Sequence, residues 1–192
     1  MSNPTEVIVL CEDIRTFSFT RSYLKRCGVD RNIRPVISPR GRGCGFDFVV
    51  SAFSAQVNAY RLAKARIHTW LIAVVDADTG TVAQRIGEMD KGLREAQEPR
   101  VRAIRIQDEM IARLVPRRNI ETWLLALNDT TVNETDDYKH AINTDEKWSA
   151  QIPGAAQAFF ILTRQNAELP EGLIESLRLG IVEMHRVFQL AR

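Results

Sequence analysis

Five short apolar runs in the first 115 residues alternate with longer amphipathic segments. The run at 7–11 is rich in β-branched residues and ends abruptly at Glu12 and Asp13, which is typical of a strand buried in a parallel sheet. The run at 70–75 is the most apolar and is expected to be central. We predict strands at residues 7–11, 33–37, 70–75, 101–106 and 111–115.

The segments between and after these runs carry apolar residues at helical spacing. In the first part we predict helices at 17–27, 46–65 and 81–97, with Asn119 as the N-cap of a helix beginning at Ile120. Three further helical patterns cover residues 138–148, 155–165 and 172–190.

The alternation of strands and helices indicates an α/β fold. We expect a doubly wound, mostly parallel sheet in a three-layer, Rossmann-like arrangement, with a helical C-terminal extension. Residues 1–130 would form the α/β domain, and residues 131–192 the helical extension packed on the same domain. A chain of 192 residues with 45% hydrophobic content is long enough for one such core.

Composition favours a cytoplasmic protein without a membrane span. The first five residues are polar and contain neither a basic stretch nor a long apolar segment. Cys11, Cys27 and Cys44 match neither a zinc pair nor a redox dithiol, which indicates reduced structural thiols. His68, His140 and His185 are scattered singly, so a zinc site is not expected.

The formal charge of +2 conceals an uneven distribution along the chain. Residues 15–42 are strongly basic, residues 100–118 form a second basic group, and residues 129–146 are acidic. Arginine outnumbers lysine, and its planar fork suits phosphate oxygens. The same arginines would also fit ordinary solvated helix faces.

Three carboxylates follow predicted strands. Glu12 follows the first strand, and Asp76 and Asp78 follow the central one. Because the carboxyl ends of parallel strands meet at one edge of a sheet, we expect the three side chains to gather there. A nearly extended backbone would point Asp76 and Asp78 to the same side, toward one Mg²⁺ ion. Helix capping is the simpler explanation for Glu12 or Asp78.

These features together resemble the Toprim fold of topoisomerases, primases and overcoming-lysogenization-defect nucleases. The resemblance rests on the segment 7–13, the glycine-rich loop 39–45, the segment 74–78 and the segment 117–124, and it spans about residues 7–139. Small standalone Toprim-like proteins of uncharacterised function share this arrangement most closely.

The resemblance implies roles for individual residues. Glu12 would take part in acid/base work, and Asp76 and Asp78, with Glu12, would bind Mg²⁺ or Mn²⁺. Glu121 and Lys139 would complete the catalytic set. A first-turn glutamate such as Glu121 also stabilises a helix dipole, and a lysine such as Lys139 more often forms a solvated ion pair.

The expected function is therefore a metal-dependent nuclease that acts on DNA or RNA. Its backbone contacts would come from Arg15, Arg40, Arg42, Arg117 and Arg118. The resemblance further implies an anti-phage effector that works with an ABC-type or structural-maintenance-like ATPase partner. A homodimer is a further candidate assembly. Two alternatives remain open: a non-catalytic module that binds nucleic acid or an ATPase, and a haloacid-dehalogenase-like phosphatase suggested by the segment 74–82.

Overall fold

A four-stranded, wholly parallel sheet forms the centre of the protein. The computed structural model describes residues 5–39, 45–96, 105–164 and 166–191. The strands lie in the order β2-β1-β3-β4. Their bounds are β1 Glu6–Cys11, β2 Ile33–Ile37, β3 Thr69–Val74 and β4 Ile111–Leu114.

The strands end in register, so their carboxyl ends form one edge. Cys11 at the end of β1 pairs with Ile37 of β2 on one side and with Val74 of β3 on the other. Val74 in turn pairs with Leu114 of β4. The residues that follow these strands are therefore brought to the same side of the molecule.

Helices cover both faces of the sheet. One face packs against α2 and α3, and the other against α1, α4, α5 and α6. The bounds are α1 Ile14–Arg26, α2 Gly45–Lys64, α3 Val82–Glu95, α4 Ile120–Leu127, α5 Asp145–Leu162 and α6 Glu175–Leu190. The doubly wound α/β fold predicted from the sequence is confirmed.

Strand β1 shows why the apolar runs become central strands. Val7 and Val9 are fully buried in the core shared with α1, whereas Ile8 and Leu10 are fully buried in the core shared with α2. Successive side chains of a strand point to opposite faces, so a strand covered on both sides must be apolar throughout.

Two predictions beyond the central sheet are wrong in part. The residues at 138–144 form turns, and one helix, α5, replaces the two predicted at 138–148 and 155–165. Pro153 and Gly154 lie inside α5, although such residues usually interrupt helices. A Cβ atom at Gly154 would collide with the side-chain amide of Asn128 at the end of α4, so a residue with a side chain there would force Asn128 to move.

The predicted strand at 101–106 falls mostly outside the described residues. Of its described part, Ile106 begins a short 3-10 helix, Ile106–Asp108, which precedes β4. Nearby, the buried carboxylate of Glu109 accepts a 2.6 Å hydrogen bond from Arg61 of α2 and also pairs with Lys64. These ion pairs tie α2 to the segment that leads into β4.

The outer edge of β4 is covered by α6. Glu183 accepts a hydrogen bond from the Arg113 backbone N–H at 3.2 Å. Arg186 donates to the carbonyl oxygens of Ile106, Gln107, Glu109 and Ile111. Two side chains thereby satisfy backbone groups that an uncovered edge strand would offer to another chain.

None of the helices within the described ranges is long and apolar enough to cross a membrane.

Candidate active site

Glu12 lies between a strand and a helix cap. Strand β1 ends at Cys11, and Asp13 caps α1 by accepting a 2.8 Å hydrogen bond from the Thr16 N–H. Capping therefore falls to Asp13, and the half-buried Glu12 is left facing β3. Its Oε1 accepts a 2.8 Å hydrogen bond from the backbone N–H of Asp76.

The segment Asp76-Ala77-Asp78 continues β3 beyond its last residue. The Ala77 N–H donates to Pro116 O at 2.8 Å, and the Asp78 N–H donates to Arg118 O at 3.0 Å. Asp78 itself has a φ of 49°, in the left-handed region. The expectation that both aspartates share an extended backbone is therefore wrong at Asp78, where the chain turns toward α3. Aspartate tolerates this conformation because its short polar side chain bonds locally.

Arg85 of α3 contacts the segment Asp76-Ala77-Asp78 through its guanidinium group. Its guanidinium donates to the carbonyl oxygens of Asp76 and Ala77, both at 3.3 Å, and lies 3.9 Å from the Asp78 carboxylate. The same group stacks on the ring of Phe46 at 3.3 Å in the first turn of α2. One largely buried arginine thus links α2, α3 and the residues after β3.

Lys139 reaches the same place from the loop between α4 and α5. Its Nζ lies 3.6 Å from Asp78 Oδ1, and about half of its side chain is exposed. Burial lowers the pKa of Lys139. The charges of Asp78, Asp76 and Glu121 together raise it by more than burial lowers it, so the net shift of the pKa is upward. Lys139 is the cation that faces these carboxylates from outside the sheet.

Glu121 is buried in the first turn of α4. Burial raises its pKa, while its own backbone N–H and the charges of Lys139 and Arg15 lower it less strongly. The charge of Glu121 also raises the pKa of Asp76. The five catalytic candidates named from the sequence are therefore all electrostatically linked.

The carboxylates of this edge are poorly compensated. Burial, followed by the charges of Glu12, Glu121 and Asp78, raises the pKa of Asp76 well above its ordinary value. Burial also raises the pKa of Glu12 to about 7, against the hydrogen bond from Asp76. Such pKa shifts mean that ionisation of these carboxylates is unfavourable. They either stay protonated or bind a cation.

An open cleft of about 350 Å³ lies beside Glu12. It is bounded by the residues after β1, by the end of β2 and by Gly45 at the start of α2. A Cβ atom at Gly45 would stand 2.8 Å from Glu12 Oε2 and 2.9 Å from Glu12 Cβ. The absence of a side chain at Gly45 therefore makes room for Glu12.

Two of the arginines proposed for nucleic-acid contact, Arg15 and Arg117, have other partners for their side chains, whereas the buried Nε of Arg118 has no hydrogen-bond partner within the described residues. Arg15 bonds to Asp145 at 2.9 Å and lies over the Trp148 ring, and Arg117 donates to Gly80 O. Arg118 has a φ of 69°, and its backbone oxygen accepts the hydrogen bond from the Asp78 N–H. Arg40 and Arg42 lie outside the described residues.

The donor set suits a hard cation, because Glu12, Asp76 and Asp78 offer only oxygen ligands. In the arrangement observed for the described ranges, however, no three His, Cys, Asp or Glu side chains form a ready-made metal site. Glu12 is turned to the Asp76 N–H, and Asp78 is turned to Lys139 and Arg85. Rotation of these side chains would be needed for a shared ion.

Sequence reasoning missed three residues that shape this edge: Arg85, Gly45 and Asp137. Arg85 carries no motif, because its contacts come from the tertiary packing of α3. Gly45 belongs to a glycine-rich run in which no single position stands out. Asp137 accepts hydrogen bonds from Asn119 and from the Lys139 N–H, a relationship between segments that spacing does not reveal.

A scan against protein-family models, a search of curated proteins and a search of solved structures each gave no match.

Proposed function

We propose that this protein is a divalent-metal-dependent nuclease that cleaves nucleic-acid phosphodiesters at the edge formed by Glu12, Asp76 and Asp78. The observation that carries the proposal is the contact between Glu12 and Asp76, residues that follow two different strands and are 64 positions apart in the chain. The Glu12 carboxylate accepts this hydrogen bond from the backbone N–H of Asp76, and burial is the largest cause of the raised pKa of both side chains.

Electrostatics supports a cationic ligand. Glu12, Asp76, Asp78 and Glu121 carry four potential negative charges, whereas Lys139, Arg85 and, near Glu121, Arg15 supply three positive ones. A structural role alone would be served better by neutral or apolar side chains, since burying uncompensated carboxylates is unfavourable. Perturbed carboxylates beside a cleft are more often found at functional sites.

Each residue has a distinct task in this proposal. Glu12, Asp76 and Asp78 would hold Mg²⁺ or Mn²⁺, which supplies Lewis-acid activation of water and stabilisation of the leaving oxygen. Glu12 would also take part in acid/base work, and in the metal-free protein burial raises its pKa to about 7. Lys139 is placed to stabilise the charge that develops on a phosphate, and Arg85 keeps the Asp76 backbone in position.

The choice of nucleic acid rests on less specific features. The chain has basic stretches, and the resemblance to Toprim-like nucleases gives the substrate class. Phosphate contacts from arginines would make binding depend on salt and be largely independent of sequence. The same resemblance supports a role beside an ATPase partner in defence against phage, which co-purification with such a partner would test.

Cleavage assays provide the test. Single-stranded DNA, double-stranded DNA and tRNA are incubated with the protein in Mg²⁺, in Mn²⁺ and in EDTA. The proposal predicts metal-dependent cleavage that Asp76→Asn abolishes and that Asp30→Asn, at an exposed position outside the cluster, leaves unchanged. Equal cleavage by the wild-type protein and Asp76→Asn would show that a contaminant or another site is responsible.

A non-catalytic binding module is the second candidate, and a specific observation favours it. Among the described side chains no three acidic, histidine or cysteine groups stand ready for a metal, and Asp78 already has two cationic partners. Binding of nucleic acid with equal strength in EDTA and in Mg²⁺, without cleavage, would support the module. The phosphatase alternative also needs paired aspartates at the end of a later strand, but Asp136 and Asp137 lie in the exposed loop after α4.

A further inference from the structure

The side chain of Asn119 is almost fully buried and makes hydrogen bonds in two directions. Its Oδ1 accepts from the backbone N–H and the hydroxyl of Thr122, both at 3.2 Å, and this caps α4. Its Nδ2 donates to Asp137 Oδ1 at 2.9 Å. One amide group therefore joins the start of α4 to the loop between α4 and α5.

The chemistry of the partners fixes the orientation of this amide. The Thr122 N–H can only donate, so it must face the oxygen of Asn119. Asp137 is a carboxylate acceptor, and its pKa is lowered first by the Lys139 N–H, with further lowering by the charges of Lys139 and Arg118 and by Asn119. An ionised Asp137 must face the nitrogen of Asn119.

Asp137 also contacts the backbone of Lys139. The same Oδ1 atom of Asp137 accepts a 2.9 Å hydrogen bond from the Lys139 backbone N–H. Lys139 then places its ammonium 3.6 Å from Asp78. On the other side, α4 carries Glu121 two residues after Asn119. Both groups that complete the acidic edge thus depend on one buried side chain.

We propose that Asn119 is a positioning residue that clamps the Lys139 loop to the start of α4 and so fixes Lys139 against the acidic edge. The inference rests on the proposed function for its catalytic meaning, but the clamp itself is a property of the folded chain. Capping alone does not explain asparagine here, because serine, threonine or aspartate would cap the helix as well. Aspartate has no donor for Asp137, and serine or threonine would have to cap and donate through one hydroxyl, whereas asparagine uses separate oxygen and nitrogen atoms for the two bonds.

Asn119→Asp separates the two tasks. Aspartate is as good an N-cap as asparagine, so the Thr122 N–H keeps its acceptor. The donor to Asp137 is lost, and two carboxylates then face each other. The loop that carries Asp137 and Lys139 should move away while α4 stays in place.

The double variant Asn119→Asp with Asp137→Asn restores the clamp with exchanged roles. In Asp137 one oxygen accepts both N–H groups, so the amide introduced at position 137 must turn to place its nitrogen toward the carboxylate at position 119 and its oxygen toward the Lys139 N–H. A purely structural effect of a charge at position 119 would persist in the double variant. Asn143→Asp, at an exposed position near the end of the same loop, controls for the added negative charge alone.

Residue-resolved amide hydrogen exchange reads the clamp directly in the metal-free full chain. We expect the Lys139 amide of Asn119→Asp to exchange about tenfold faster, with the Thr122 amide unchanged, and both to be protected again in the double variant. If the Thr122 amide also loses protection, Asn119 is only a cap and the proposal is overturned. An unchanged Lys139 amide overturns it as well.

Cleavage kinetics on the same variants separate this proposal from the nuclease proposal. If the wild-type protein cleaves, kcat of Asn119→Asp should fall by roughly 10–100-fold with little change in KM, and the double variant should recover. A loss of kcat without recovery in the double variant would contradict the clamp. If the wild-type protein does not cleave but the amide pattern holds, the clamp stands and the nuclease proposal fails.

Discussion

Glu12 Oε1 accepts a hydrogen bond from the Asp76 backbone N–H at 2.8 Å, so the residue after β1 is joined directly to the residues after β3. Parallel strands in register create this meeting, because Cys11 and Val74 pair at the ends of the two strands. The contact also holds Glu12 where burial raises its pKa to about 7. The acidic edge is thus a consequence of sheet topology.

The stability of the metal-free protein should fall as the pH rises from about 4.5 to about 7. The folded state raises the pKa of Glu12 from 4.5 to about 7, so the folded protein binds more protons than the unfolded one in this range. The stabilising contribution of Glu12 is complete below pH 4.5 and is lost as the pH rises through about 7. Urea unfolding in EDTA across this range measures the change.

Glu12→Gln is the variant that isolates this effect. Glutamine keeps an oxygen for the Asp76 N–H but cannot titrate, so the decline in the free energy of unfolding should become smaller. Glu168→Gln, at an exposed position, should keep the wild-type decline. The assignment to Glu12 is wrong if both variants show the same decline as the wild type.

Gly45→Ala should disturb the site through packing. The new Cβ would lie 2.8 Å from Glu12 Oε2, so Glu12 or the start of α2 must shift. We expect a loss of about 1–3 kcal/mol in the free energy of unfolding, together with weaker divalent-cation binding. Thermal unfolding with and without Mg²⁺ measures both effects.

Gly87→Ala provides the matched control within α3. A Cβ at Gly87 would have no heavy atom within 4 Å, and alanine is the better helix former. This variant should gain up to about 1 kcal/mol and keep its cation binding. Equal behaviour of the two alanine variants would mean that Gly45 does not make room for Glu12.

Arg85→Ala should weaken divalent-cation binding. Charge alone predicts the opposite, because removing a cation 3.9 Å from Asp78 would favour another positive ion. The arginine, however, also holds the carbonyl oxygens of Asp76 and Ala77, and their release should disorder the carboxylates. Calorimetric titration with Mn²⁺ determines whether Arg85→Ala weakens or strengthens cation binding. Arg94→Ala, at an exposed position of α3, is the control.

Arg186→Ala should expose the edge of β4 to other chains. Arg186 donates to four backbone carbonyl oxygens beside this strand, including that of Ile111. Uncovered edge strands pair with one another, so we expect concentration-dependent association in light scattering. Arg178→Ala removes a partly exposed arginine of the same helix and should remain like the wild type. Association of both variants to the same extent would contradict the assigned role.

Much of the fold follows from local patterns in the sequence. The strand at Ile33–Ile37 and the cap at Asn119 agree with prediction, because β-branched apolar runs and capping residues act locally. The prediction of two separate helices at 138–148 and 155–165 is wrong, because α5 runs without a break through Pro153 and Gly154, where it packs closely against Asn128. The left-handed turn at Asp78 accompanies contacts of its segment with Pro116, Arg118 and Arg85. Pro116 and Arg118 are distant from Asp78 in sequence, so a short motif does not predict the turn.

Direct titration with a divalent cation tests the central claim most directly. The metal-free wild-type protein, Asp76→Asn and Asp30→Asn are titrated with Mn²⁺ by calorimetry, and Mg²⁺ is used as the competitor. The account predicts saturable binding by the wild type and Asp30→Asn, displacement of Mn²⁺ by Mg²⁺, and loss of binding in Asp76→Asn. Absence of binding to the folded wild-type protein, or undiminished binding to Asp76→Asn, would contradict it.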